Sequence, residues 1–161
     1  MGGSDTFIGL AWMLAAVSEL PVMFFSVALL RRFGAARIIA VSMLLYAVRF
    51  LLYGAMTSAS WVLFINLGFG CAFAIYWIAA VTYTNELAPD NLKTTSQSLF
   101  MSVMSLSNVM GALLSGWLFD RVGPSGMFYS LGCLCVCSLF LFVVGKALLG
   151  RRRQASPATL L

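Results

Sequence analysis

The stretch FIGLAWMLAAVSELPVMFFSVALL, residues 7–30, decides the fold of this chain. It is almost entirely apolar, and an α-helix needs about 20 such residues to cross the hydrocarbon core of a bilayer. A helix is predicted because every backbone polar group must be satisfied within the segment when no water is present. One ionisable residue, Glu19, interrupts the run near its middle, two residues before Pro21. An ionised carboxylate is costly at that depth, so we expect Glu19 to face a protein interior or a water-filled cavity.

The composition of the whole chain also indicates a lipid environment. Hydrophobic residues make up 61% of the 161 residues and charged residues only 9%, whereas soluble domains carry about 25% charged residues. The mean hydropathy is +0.97. A water-soluble core of this size could not cover so much apolar surface. The formal net charge of +5 therefore belongs to loops at a membrane surface, and we expect no nucleic-acid partner.

Four further apolar stretches of similar length follow the first. Together they predict five transmembrane helices, at residues 7–30, 38–56, 61–84, 97–119 and 126–149. The connections between them are short, so neighbouring helices are expected to be antiparallel. The sequence thus predicts an all-α integral membrane protein, with a single helical bundle over residues 1–150 and a basic, disordered tail over residues 151–161.

Basic residues lie unequally at the two ends of the predicted spans. Eight lie near one set of ends: Arg31, Arg32, Arg37, Lys93, Lys146, Arg151, Arg152 and Arg153. Only Arg121 lies near the other set. The positive-inside rule then places the C-terminus and the loop of Arg31, Arg32, Gly34 and Arg37 in the cytoplasm. The N-terminus is outside and has no signal-peptide pattern, and an odd number of helices in that arrangement indicates part of a longer protein.

Polar residues inside the spans fall at similar depths. Glu19 lies ~17 Å and Arg49 ~10 Å below the outer ends of their spans, at a rise of about 1.5 Å per residue. Asn66 and Asn108 fall in the same zone. Opposite charges on consecutive helices indicate a polar pathway, with a structural Glu19–Arg49 ion pair as the alternative. For the two asparagines, lining a cavity and forming packing hydrogen bonds between helices are both open.

Pro21 and three glycines are candidates for shaping the helices. Proline inside a helix removes one backbone hydrogen bond and usually kinks it, either for a bend during transport or as a static feature of packing. Gly68, Gly111 and Gly116 each lie four residues from another small residue, a spacing that lets membrane helices approach closely. The fourth span is also rich in serine, so lining of a polar cavity is its alternative role.

Other chemistry finds little support in the chain. The sequence has no histidine, which excludes Ser-His-Asp and Cys-His sites, and no Gly-rich phosphate loop follows a strand. Cys133, Cys135 and Cys137 alternate along a helix and do not converge on one metal. We therefore expect no enzyme activity, no cofactor and no metal. Tyr76 and Trp77, deep in the third span, either pack against neighbouring helices or line a cavity and stack on a substrate ring.

Three segments carry a resemblance to a known family. Residues 18–26 (SELPVMFFS), 30–34 (LRRFG) and 48–49 (VR) are similar to the major facilitator superfamily. The similar branch contains phenylpropionate permeases, nucleoside–proton symporters and lactose permease. The resemblance implies that the five spans are helices 8–12 of a twelve-helix transporter, within its C-terminal six-helix bundle. It assigns Glu19 and Arg49 to substrate binding or proton coupling.

The chain also departs from the family in two places. The family's cytoplasmic loop reads Gly-x-x-x-Asp-Arg-x-Gly, but Val27 and Arg31 replace the first glycine and the aspartate here. A closer match, residues 116–123, follows the fourth span, on the side that the charge distribution places outside. Without histidine, the proton relay of the lactose permease branch is not carried over in full.

The resemblance implies a secondary active transporter in the bacterial inner membrane. Such a protein moves a small organic solute of the sugar, nucleoside or aromatic acid class by alternating access, coupled to protons. Its sites lie between two repeated halves, so the expected partners include lipid, solute, protons and the missing N-terminal half or an equivalent chain. The alternative is a truncated, non-transporting membrane module or an interaction subunit held by its small-residue faces.

Overall fold

The computed structural model is helical throughout most of the residues that it describes, 5–58, 60–69 and 71–155. Its helices are α1 Asp5–Phe33, α2 Ala35–Ala55, α3 Ser60–Phe69, α4 Cys71–Leu87 and α5 Lys93–Ala155, with a 3-10 turn at Asp90–Leu92. The predicted third span is occupied by α3 and α4. In addition, α5 includes residues 151–155, which were expected to belong to a disordered tail.

Two helical segments among the described residues are long and apolar enough to cross a membrane. They are α2, with 21 residues, and the segment Asp90–Leu148, with 59. At a rise of about 1.5 Å per residue, the second would be nearly three times as long as the ~30 Å hydrocarbon core is thick. The segment is therefore too long to cross the membrane once as a straight helix. A break inside α5 divides it into two shorter helices.

The break in α5 is at Gly123, which has φ 71° and ψ 177°. This backbone region is open essentially only to glycine, and the following Pro124 has the fixed φ that suits the first residue of a new helix. A turn was expected over residues 120–125, but the non-helical conformation is confined to Gly123 alone. One residue is enough because a positive φ redirects the chain in a single step.

Gly34 joins α1 to α2 in nearly the same way, with φ 75° and ψ 147°. The basic loop expected over residues 31–37 is thereby reduced to one residue. Arg31 and Arg32 lie in the last turn of α1, and Arg37 lies in the first turn of α2. These three side chains are therefore presented by helix ends rather than by a flexible loop.

We expect Gly123→Ala to destabilise the protein by about 1–3 kcal/mol, because a Cβ is strained at this φ whatever the space around it. The matched control is Gly145→Ala in the same helix, where the added Cβ would meet no atom within 4 Å. Alanine at that helical position should be neutral or slightly stabilising. Thermal unfolding of the purified variants in detergent measures both, and equal stability of the two would contradict the assigned break.

Helix α2 packs against α4 and α5, and its contacts with α5 include Phe128, Tyr129 and Gly132. A Cβ on Gly54 would lie 3.0 Å from ring atoms of Tyr129, and one on Gly132 would lie 3.0 Å from Leu51. Gly54 of α2 therefore faces Tyr129 of α5, and Leu51 faces Gly132. The residue number falls along α2 as it rises along α5. The two helices are therefore antiparallel, and glycines on both sides allow their close approach.

The N-terminal part of α5, residues 93–122, has few neighbours among the described residues. Leu99, Leu106 and Leu113 recur every seven residues along one face and are 66%, 63% and 67% exposed. The buried core is elsewhere, around Ile38, Ile39 and Ala79. This apolar face of α5 is consequently available to lipid or to another helix.

Candidate functional site

Arg49 of α2 forms a polar cluster with Tyr53 and Asn66. The Arg49 Nη2 donates to Asn66 Oδ1 at 2.6 Å and to the Tyr53 hydroxyl oxygen at 3.2 Å. The Tyr53 hydroxyl in turn donates to Asn66 Oδ1 at 3.0 Å. We call these three residues the Arg49 cluster. It links α2 to α3 inside an otherwise apolar bundle.

The local geometry of α2 explains the contact between Arg49 and Tyr53. Residues four apart lie on the same helix face, so the guanidinium lies against the Tyr53 ring, with its Cζ 5.4 Å from the ring centroid. The same ring packs against Phe128 of α5 at a centroid distance of 5.3 Å. Phe128 thereby holds the Tyr53 ring against the helix while the ring orients the guanidinium toward Asn66.

The Arg49 cluster gives the guanidinium hydrogen-bond partners but does not neutralise its positive charge. Asn66 is buried, whereas Arg49 and Tyr53 are half-buried. The guanidinium donates to two neutral oxygens, those of Tyr53 and Asn66, and none of the described carboxylates forms an ion pair with it. A charged hydrogen bond is stronger than a neutral one, so the arrangement holds a positive charge in place. Chemically it can bind an anionic or hydroxyl-bearing group.

The other predicted polar residues behave differently. The side chain of Glu19 lies outside the described residues, so the Glu19–Arg49 ion pair stays a prediction. Asn108 is exposed on α5 and has no hydrogen bond to another described residue. Helix α1 continues through Pro21, and a kink there also stays a prediction. The structure thus joins Arg49 to Asn66 but does not bring Asn108 to the same place.

Tyr76 and Trp77 point to different neighbours. Tyr76 meets Tyr46 of α2 edge to face at 6.4 Å and packs against the buried core. Trp77 lies between Phe73, at 6.1 Å, and Phe100 of α5, at 6.2 Å. Both rings therefore have helix-packing contacts, and a role in lining a cavity stays a prediction for each.

The structure does not show close helix packing at the glycines that were proposed for it. A Cβ on Gly111 or Gly116 would meet no atom within 4 Å, so no described helix approaches either position. The surroundings of Gly68 lie outside the described residues. Four serines of the same part of α5 donate to carbonyls of their own helix: Ser98, Ser102, Ser107 and Ser115. Such bonds satisfy the hydroxyls locally and need no polar cavity.

Sequence reasoning missed three side chains that form polar contacts between helices: Tyr53, Gln97 and Asn85. Tyr53 carried a usable signal, because it lies one turn after an arginine inside an apolar helix. Gln97 carried none, since it stands at the start of a predicted span. Its Nε2 donates to Asn85 Oδ1 at 2.8 Å and to the Val81 carbonyl at 3.3 Å. This contact joins α5 to α4 near the opposite end of the bundle from the Arg49 cluster.

Comparison with known proteins gives a consistent set of relatives. Residues 1–130 match the MFS_1 like family. The chain is 33% identical over 152 residues to a maltose permease of Geobacillus stearothermophilus, covering 91% of this chain and 38% of the relative. It is 25% identical over 103 residues to a xanthosine permease of Escherichia coli, covering 61% and 25%.

A third relative is an uncharacterized transporter of Bacillus subtilis, 22% identical over 142 residues, covering 87% of this chain and 35% of the relative. The matched part of the chain therefore spans between 25% and 38% of the length of these three proteins. No solved structure matches it.

Proposed function

Because the chain belongs to the MFS_1 like family, whose permeases are helical membrane proteins and not enzymes, we propose that it forms part of a secondary active transporter. The five predicted spans are helices 8–12, in the C-terminal six-helix bundle of that transporter. The transporter moves a small organic solute by alternating access and couples this movement to protons. The end of the bundle that carries Arg31, Arg32 and Arg37 faces the cytoplasm.

The observation that supports this proposal is the Arg49 cluster. Placing a guanidinium inside an apolar membrane helix costs free energy, so such a residue usually faces a functional pathway and seldom faces lipid. Its contacts to Tyr53 and Asn66 fix its orientation but leave its charge unneutralised by any described carboxylate. These contacts use only Nε and Nη2 of the guanidinium, which has five N–H donors in total. Arg49 can therefore donate to a solute from a preset position.

The class of solute follows from the chemistry of the cluster together with the relatives. A guanidinium, a phenol hydroxyl and a carboxamide form hydrogen bonds well with hydroxyl groups. Two relatives are a maltose permease and a xanthosine permease, and both named solutes carry sugar hydroxyls. We therefore assign the sugar or nucleoside class first, and the aromatic acid class second.

Glu19 is the proposed proton-coupling residue. It is an acidic residue within α1, beside Pro21, and α1 packs against α3, the helix that carries Asn66. A carboxyl group in an apolar environment can bind and release a proton as its surroundings change. In this proposal Arg49 binds the solute and Glu19 binds the proton.

Uptake into proteoliposomes tests the coupling. The protein, expressed from its complete reading frame, is expected to accumulate labelled maltose or xanthosine when a pH gradient is imposed. Glu19→Gln should abolish accumulation but retain exchange of solute across the membrane without a gradient, because glutamine keeps the shape and cannot be deprotonated. Glu86→Gln, at an exposed residue near the end of α4, is the matched control and should behave as the unmodified protein.

Two results would count against the proposal in different ways. Gradient-driven accumulation that persists in Glu19→Gln removes the coupling role from this residue. No uptake of any sugar, nucleoside or aromatic acid by a folded protein favours the second function, a non-transporting membrane module or interaction subunit. The exposed leucine face of residues 93–122 favours that alternative specifically, because it offers a partner an apolar surface.

A further inference from the structure

Three arginines form a dense positive surface where α1 meets α2. Arg31 and Arg32 end α1, Gly34 turns the chain, and Arg37 lies in the first turn of α2. All three arginine side chains are exposed. The Arg32 guanidinium lies 5.5 Å from the centroid of the Phe33 ring, and Phe33 is itself 48% exposed. Arginine and an exposed aromatic ring together are typical of the polar boundary of a membrane.

The register of α2 against α5 adds a fourth cation to this surface. Gly54 faces Tyr129, and Leu51 faces Gly132, so three residues back on α2 correspond to three residues forward on α5. Extending this antiparallel register brings Arg37 level with Lys146. Phe142 of α5 packs against the core cluster of Ile38, Ile39 and Ala79, so α5 stays against the helical bundle at this end. Packed helix axes are about 8–10 Å apart, so the two cations can share one ligand.

The described carboxylates do not neutralise this basic cluster, which we define as Arg31, Arg32, Arg37 and Lys146. The ion pair formed among described residues at this end joins Asp90 to Lys93 at 2.7 Å, so each of these two charges is already matched. Glu86 is exposed and forms no ion pair with a described residue. The like charges of this cluster therefore attract external anions.

An apolar stripe leads away from Arg37 along α2. Val41, Leu44 and Val48 follow it at intervals of four, three and four residues, which keeps them on one helix face. They are 56%, 51% and 38% exposed. A positive head at the end of an exposed apolar stripe matches the chemistry of a phospholipid, with a charged headgroup and an acyl chain.

We propose that the basic cluster binds the phosphate headgroup of an anionic phospholipid, whose acyl chain lies along the Val41–Leu44–Val48 face of α2. Phosphate oxygens accept hydrogen bonds from arginine in a forked geometry, and a surface cation adds to the attraction of anionic lipid. The exposed apolar stripe distinguishes a membrane lipid from a free phosphate ion. This inference depends on the membrane fold and not on which solute is transported.

Native mass spectrometry of the purified protein, expressed from its complete reading frame, tests the proposal. Phosphatidylglycerol should bind more tightly than phosphatidylcholine with the same acyl chains. The variant Arg37→Gln/Lys146→Gln should weaken phosphatidylglycerol binding by about 25-fold, from about fivefold for each charge removed. The control Arg121→Gln removes one cation at the opposite end of the bundle and should change binding less than twofold by the same reasoning.

Two further experiments test whether the ligand is a lipid or a free anion, and whether the variants lose binding because they misfold. Arg37→Lys/Lys146→Arg keeps both charges and should bind phosphatidylglycerol as the unmodified protein does. Soluble glycerol phosphate at the same concentration should not displace the lipid. Equal binding of the two lipids, an equal loss in Arg121→Gln, or displacement by glycerol phosphate would overturn the proposal.

Discussion

Replacing Arg49 with alanine is expected to lower solute uptake by about 100-fold. Truncating one partner of a buried charged hydrogen bond costs about 2–5 kcal/mol of binding, and the half-buried Arg49 belongs in the lower part of this range. Each 1.4 kcal/mol is about tenfold in affinity. The protein should remain folded, because the Tyr53 hydroxyl and Asn66 Oδ1 still bond to each other at 3.0 Å. Initial rates of uptake of labelled maltose or xanthosine by the protein expressed from its complete reading frame, together with thermal unfolding of the same preparation, measure both effects.

Two milder substitutions serve as controls for that result. Arg49→Lys keeps the charge but lacks the fork that reaches both Tyr53 and Asn66, so its uptake should be intermediate. Tyr53→Phe keeps the ring against Phe128 and removes only the hydroxyl, which accepts from Arg49 and donates to Asn66. At about 1 kcal/mol for each hydrogen bond, the loss should be about 2 kcal/mol. Uptake that is unchanged in Arg49→Ala would assign the guanidinium a purely structural role.

The double variant Glu19→Gln/Arg49→Ala separates solute transport from a structural ion pair. Two residues that only neutralise each other should be replaceable together, and uptake would return toward that of the unmodified protein. Two residues that bind proton and solute separately cannot compensate for each other, so uptake should stay at the level of Arg49→Ala. We expect the second outcome.

Gly54→Leu is expected to destabilise the helical bundle by about 3 kcal/mol, at the upper end of the range for overpacking. Gly54 is buried, and its Cβ alone would lie 3.0 Å from the Tyr129 ring. The remaining atoms of leucine would have to push α2 away from α5. Thermal unfolding in detergent should show a clearly lower midpoint.

The control for Gly54→Leu is Gly145→Leu in α5, where a Cβ would meet no atom within 4 Å. It should leave the midpoint nearly unchanged. Adding Tyr129→Ala to Gly54→Leu removes the ring and should restore part of the lost stability, since contacting residues are not additive. No such recovery, or equal losses at Gly54 and Gly145, would mean that α2 and α5 do not pack at this point.

Part of the candidate site was within reach of the sequence. Arg49 stands out as a cation inside an apolar run, and its hydrogen bond with Tyr53 follows from a four-residue spacing on one helix. The bond to Asn66 needed the tertiary structure, because 17 residues and a change of helix separate it from Arg49. Depth estimates placed Asn108 in the same zone, but depth says nothing about which way a helix is rotated.

The glycines illustrate the same limit for packing. Spacing of small residues favoured Gly111 and Gly116 for close packing, yet the glycines at which α2 and α5 approach closely are Gly54 and Gly132. Neither of the latter was singled out by a small-residue pair. Whether a glycine is used depends on which helix lies beside it, and that choice is made by the whole bundle.

The sequence by itself determined the class of this protein. Apolar runs of membrane-crossing length require helices, because a backbone without water must form its hydrogen bonds locally, and a cation inside such a run marks a polar site. Only the tertiary structure decided that Arg49 meets Asn66 and that Gly54 meets Tyr129. In a soluble protein, an apolar stripe would have indicated the buried faces. In lipid, buried and exposed faces are equally apolar. The sequence therefore does not indicate how each helix is rotated about its axis or aligned with its neighbours.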